Sequence, residues 1–136
     1  MQRKLAAVLI GVAALGAAAR VAAHHSFAAE FDANTPIELT GPVTKIEWAN
    51  PHTFFYVDVQ NTAGEYENWG FEMGSPNGLM RRGWTRNTLK IGDVVTVTGS
   101  RAKDGSFKGN ARSVVLSTGQ RLFAGSSQPD AEDDAN

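Results

Sequence analysis

Apolar and polar residues alternate along most of this chain in short runs bounded by glycine, proline and asparagine, a period of two that predicts strands. Ile37 to Trp48 is a long first run, interrupted at Gly41-Pro42, where a proline is accepted only at an edge or a bulge. After a turn at Asn50-Pro51, Thr53 to Gln60 sets Phe55, Val57 and Val59 on one face and Phe54, Tyr56 and Asp58 on the other. Asn61 to Gly64 closes a hairpin onto Glu67 to Met73, whose inward set is Trp69, Phe71 and Met73.

The pattern then changes. Ser75 before Pro76 reads as an N-cap with proline at the first helical position, and Gly83 stops a short helix over Asn77 to Arg82. Leu79 and Met80 are that helix's packing surface. Val94 to Arg101 is a fourth strand, Asp104-Gly105 a hairpin turn, Asn110 to Leu116 a fifth strand, and Gln120 to Phe123 a short final segment. Three strands, a short helix and two strands, with a long bent first strand, predict an all-β fold: a five-stranded Greek-key barrel of the oligonucleotide/oligosaccharide-binding (OB) type with one short helix between strands 3 and 4. An immunoglobulin-like sandwich is disfavoured, because seven spaced strands and a Cys-Trp-Cys core are not found. A fold of this kind does not by itself specify an activity.

The two ends read differently from the middle. Arg3 and Lys4 precede an uncharged apolar run from Leu5 to Ala19, and Arg20, Val21, Ala22 and Ala23 offer a small-residue cleavage site, so residues 1–23 are expected to be a signal peptide. The run falls short of the roughly 20 apolar residues that cross a bilayer, so no membrane span is expected after its removal. Cleavage after Ala23 makes His24 the mature N-terminus, whereas cleavage after Ala22 places His25 third. Residues 24–125 are then one barrel domain with an N-terminal arm anchored by Phe27 and Phe31, and the polar, acidic residues 126–136 are expected to be a disordered tail. The expected location is the periplasm.

Charge narrows the partners. Three of the 13 Lys and Arg leave with the leader, so 10 face 14 Asp and Glu in the mature chain, a formal charge near −4. Four of those acids, Asp130, Glu132, Asp133 and Asp134, lie in the tail, and nothing supplies the basic face that nucleic acid requires. The chain has no cysteine, which excludes disulfides, thiolate metal sites and a cysteine nucleophile.

The segments His24-His25-Ser26-Phe27, Glu47-Trp48-Ala49-Asn50-Pro51-His52, Arg81-Arg82-Gly83-Trp84, Leu89-Lys90-Ile91-Gly92-Asp93 and Arg101-Ala102-Lys103-Asp104-Gly105 together resemble an uncharacterised family of small exported proteobacterial proteins, a domain of unknown function. The resemblance runs from His24 to about Gly125 and implies export, size and a β-barrel, with no established activity. A looser similarity, of strand order and export only, connects the chain to periplasmic bacterial OB-fold stress proteins.

The three histidines of the chain carry the sharpest chemistry. His24 and His25 stand at the mature terminus, and His52 follows the Asn50-Pro51 turn. A free α-amine with the His24 imidazole, completed by His25 or His52, is a nitrogen-rich set that suits Cu(II), which stands highest in the divalent affinity series. The plainer reading leaves two solvated histidines at a terminus and a third bonded within a turn.

Arg81, Arg82 and Arg86 around Trp84 suggest a ligand- or partner-binding face of guanidinium forks on an aromatic platform, or else solvated arginines beside a packed indole. Trp48, Trp69, Phe54 and Tyr56 suggest a sugar- or peptide-binding surface, although their alternation fits core packing as well. No nucleophile elbow or phosphate loop is present, and no two of Glu30, Asp32, Glu47, Asp58 and Glu72 pair by pattern as acid and base. The expectation is an exported, non-catalytic binding or accessory protein that binds a small ligand or an envelope protein, Cu(II) being the sharpest version. Two alternatives stand beside it: a copper-dependent redox enzyme, and an envelope interaction or stress module without metal.

Overall fold

Six strands and one short helix follow in the order β1 (Phe31–Glu47), β2 (Phe54–Gln60), β3 (Tyr66–Glu72), α1 (Pro76–Met80), β4 (Val94–Ala102), β5 (Lys108–Val115) and β6 (Arg121–Phe123). The computed structural model describes residues 27–125, so the leader at 1–23, His24, His25 and the acidic tail at 126–136 lie outside the described residues. Residues 27–30 are helical and run directly into β1. Among the described residues no helix is long and apolar enough to cross a membrane.

The sheet is almost wholly antiparallel, in the order β3-β2-β1-β4-β5-β6. β1 is long because it serves two partners in turn: its first part pairs with β4 as far as Pro42 opposite Val94, and its second pairs with β2 from Val43 opposite Val57. Pro42, which has no N–H to give, therefore sits at the exchange between partners. β5 gives one edge to β4 and divides the other. Lys108 to Asn110 pair in parallel with Gly70 to Glu72 of β3, and Ser113 to Val115 pair with β6. Hydrogen-bonded neighbours thus lead from β3 through β2, β1, β4 and β5 back to β3.

Two differences from the sequence expectation concern the ends. The last segment is a sixth strand, because the turn at Leu116 to Gln120 lays it against β5, with Leu116 N donating to Gln120 O at 2.9 Å. β1 also starts earlier than the alternation suggests. Phe31 and Asp32 pair with Ala102 and Arg101, after which the register shifts until Pro36 meets Ser100. The Asp32 carboxylate holds this excursion, accepting from Asn34 N at 2.9 Å and from the Thr35 hydroxyl at 2.8 Å.

Elsewhere period two sorts the side chains as expected. Phe55, Val57 and Val59 of β2 and Trp69 and Phe71 of β3 face inward, joined by Met73, Val43, Val95, Val97, Ala111 and Val114. Ser75 caps α1 by accepting from Gly78 N at 3.2 Å, and Leu79 is the helix's fully buried contribution, while Met80 is exposed. Burying such side chains contributes about 1.5–3 kcal/mol each, which is what holds a cysteine-free domain together.

Candidate functional site

His52 lies between a cis Asn50–Pro51 bond and the start of β2. The backbone beside it is pinned on both sides of Thr53: Thr53 N donates to Gly74 O at 3.1 Å and Met73 N donates to Thr53 O at 2.8 Å. This ladder sets His52 beside the end of β3, where its Nδ1 pairs with the Glu72 carboxylate. The His52 side chain is 39% exposed and that of Glu72 only 12%, so the carboxylate is the fixed partner and the imidazole the accessible one. With Nδ1 committed to Glu72, Nε2 is the ring nitrogen left to meet a ligand.

Glu72 stands opposite Phe54 on β2 and Asn110 on β5. Phe54 is half-buried on the outward row of β2 and faces Lys108, whose Nζ lies 5.7 Å from its ring centroid and 5.7 Å from that of Phe31. Lys108 also pairs with Glu30, Lys103 N donates to Glu30 O at 2.9 Å, and the rings of Phe27 and Phe31 are 5.7 Å apart. The N-terminal arm is therefore tied, through Lys108 and Phe54, to the face that carries Glu72 and His52.

The same face continues along β2. Tyr56 donates to Glu47 at 3.1 Å, Lys45 pairs with Glu47 at 2.6 Å and sits 5.1 Å from the Tyr56 ring centroid. Lys45, and then the Tyr56 hydroxyl, hold the Glu47 carboxyl below its usual range. Burial, and then Glu47, push the Tyr56 phenol up. Beyond them Asn68 donates to Asp58 at 2.7 Å and to Thr44 at 3.0 Å. Phe54 and Tyr56 thus take part in an outward surface, whereas Trp69 is 5% exposed and belongs to the core. Trp48 is half-buried and packs against that core from outside.

The three predicted metal ligands are divided by what is described. His52 is placed and oriented, while His24 and His25 lie outside the described residues. Among the described residues no group of three or more His, Asp or Glu is arranged to hold a metal. Pattern reading named Glu72 only as one of five unpaired carboxylates and did not join it to His52. Its signal was present in the alternation, since an inward Phe71 and Met73 place Glu72 outward beside Phe54.

The second predicted set is divided by burial. Trp84 is 2% exposed, and its indole Nε1 donates to Phe123 O at 2.8 Å, so its ring serves the core. Arg82 donates to Gly125 O at 2.7 Å and lies 4.9 Å from the Phe123 ring centroid. Together they fasten the chain around β6 to the segment after α1. Arg81 and Arg86 are exposed.

No curated protein matches the chain. Residues 12–111 match the model of a family of unknown function, DUF6152.

Proposed function

We propose that this chain, which belongs to that family, is an exported periplasmic binding protein without catalytic activity that holds one Cu(II) ion through His52 and the histidines of its mature N-terminus, His24 and His25. One observation carries the reading: a half-exposed imidazole is held at Nδ1 by a mostly buried carboxylate, Glu72. A ligating histidine characteristically gives its second nitrogen to a carboxylate, which fixes the ring and raises the basicity of the nitrogen facing the metal. The course of the arm supports it, because residues 27–31 are tied to the same face by Lys108. A nitrogen-rich donor set without thiolates favours Cu(II) over other divalent ions of the first transition row.

The framework for this role is read as an OB-like barrel of β1 to β5 with β6 added at its edge. The parallel pairing of β3 with β5 supports closure, since it returns the ladder to its starting strand. In such barrels the outer face of strands 2 and 3 is the usual ligand surface, and Phe54, Tyr56 and Glu72 lie on it here.

Glu72→Gln tests the reading directly. The amide keeps the size of the side chain and removes its charge. Cu(II) affinity of the mature protein is expected to fall about 10–100-fold, the usual effect of losing a carboxylate that orients a ligand. Unchanged affinity, with the nitrogen hyperfine pattern of the bound Cu(II) also unchanged, contradicts a site built on His52.

A further inference from the structure

A cleft of about 650 Å3 opens between β1, β4, β5 and β6, away from His52 and sharing no residue with its face. Two irregularities create it. The register of β1 against β4 shifts between Asp32 and Pro36, and a register shift between Thr98 and Gly99 makes Arg112 the extra residue where β4 meets β5. Bulges bend strands and re-aim side chains, and here they turn an outer sheet surface concave. β6 supplies the far wall with Arg121 and Phe123.

The lining is divided by chemistry. Pro36, Ile37 and Phe123 give it an apolar part, and Ile37 and Phe123 are each only half-buried. Thr98 and Ser113 are neighbours across β4 and β5, their hydroxyl oxygens 2.7 Å apart, and Ser100 adds a third hydroxyl. The charged groups are Glu38 on the β1 wall and Arg112 and Arg121 on the β5 and β6 wall; Arg112 is already engaged, so Arg121 is the cation that faces a ligand across from Glu38. Its volume falls within the roughly 300–1,000 Å3 of small-molecule sites, which pair apolar lining with a few placed polar groups.

We propose that this cleft binds a small organic carboxylate with an apolar body. The carboxylate lies against Arg121, whose exposed guanidinium offers paired N–H donors. The body lies on Ile37 and Phe123. Glu38 opposes a negative group on its own side and so sets the ligand's direction. The site is separate from the copper reading and stands without it.

Octanoate titrated into the mature protein, followed by amide chemical shifts, tests the proposal, with 1-octanol as the uncharged control. Octanoate is expected to saturate with shifts centred on residues 36–38, 98–100, 112–113 and 121–123. Octanol is expected to bind about tenfold more weakly, Arg121→Glu and the milder Arg121→Gln to weaken octanoate by about tenfold, and His52→Ala to leave it unchanged. Thermal unfolding of each Arg121 variant within a few degrees of wild type shows that the fold is kept. Absence of octanoate saturation, equal binding of octanol, or full affinity in a folded Arg121 variant overturns the proposal.

Discussion

Replacing Gly99 by alanine places a methyl carbon 2.0 Å from the carbonyl oxygen of Asn110, 3.0 Å from its carbonyl carbon and 3.2 Å from the Cα of Ala111. Carbon and oxygen normally approach no closer than about 3.3 Å across paired strands, so β4 and β5 must part by more than about 1 Å. Backbone atoms cannot rotate away, and both sit in a ladder fixed by Gly99 opposite Ala111 and Ser100 opposite Asn110. Overpacking costs about 1–3 kcal/mol where side chains can yield, and a disturbed ladder hydrogen bond adds about 1 kcal/mol, so the loss is about 3 kcal/mol or more. Gly92→Ala is the control. Its φ is 92° and a Cβ there meets nothing within 4 Å, so its cost is the strain of a left-handed backbone, about 1–2 kcal/mol. Urea unfolding followed by tryptophan fluorescence should show Gly99→Ala losing about twice as much stability as Gly92→Ala, with the dependence on urea unchanged. A Gly99→Ala protein within about 0.5 kcal/mol of wild type would refute the close approach of β4 and β5, a typical value for a change at an undemanding surface position.

Trp84→Phe removes the indole donor and leaves the Phe123 carbonyl without it, which should lower stability by about 1–3 kcal/mol in a calorimetric melt; an unchanged midpoint contradicts that hydrogen bond. Acid should destabilise the fold in a defined way. The Asp32 carboxyl is held low by Asn34 N–H and then Thr35, Asp104 by the Ser106 hydroxyl and then its N–H, and Glu47 by Lys45 and then Tyr56. Values lower in the folded than in the unfolded chain contribute stability above the ordinary carboxyl range near pH 4, and that contribution is lost as pH falls through the folded values. The combined variant Asp32→Asn, Glu47→Gln, Asp104→Asn should therefore show a flatter acid limb in urea midpoints below about pH 4.5, and an identical limb counts against this origin. Lys108→Ala should cost about 1 kcal/mol or less globally, because the Glu30 pair is partly exposed, yet speed hydrogen exchange at residues 28–31; unchanged exchange contradicts the tethering of the arm.

The strands were legible because each contributes a row of inward side chains at period two: Phe55, Val57 and Val59, then Trp69, Phe71 and Met73. Ser75 and Pro76 marked α1 by local chemistry alone. What escaped reading was set by contacts between distant segments. The excursion after Asp32 breaks the alternation, so β1 seemed to start near Ile37. Trp84 stands among arginines, which suggests exposure, but its indole reaches a carbonyl 39 residues away. The partnership of Glu72 with His52 depends on the register of β2 against β3 beyond their last paired residues, Phe54 and Glu72. The cleft depends on two register shifts, which no residue type announces. His52 stood out because histidine is scarce here, and its orientation became visible only with Glu72 in place.

The central claim is that His52 contributes to a single Cu(II) site completed by the mature N-terminus. Intact mass of the exported protein, followed by Cu(II) titration of that same form and of its His52→Ala variant, tests it most directly. The account predicts a chain beginning at His24 that binds one Cu(II) with nitrogen coordination, and an affinity at least about tenfold weaker in the variant, equivalent to about 1.4 kcal/mol. A mature form that binds copper equally tightly without His52, or only weakly with it, contradicts the claim.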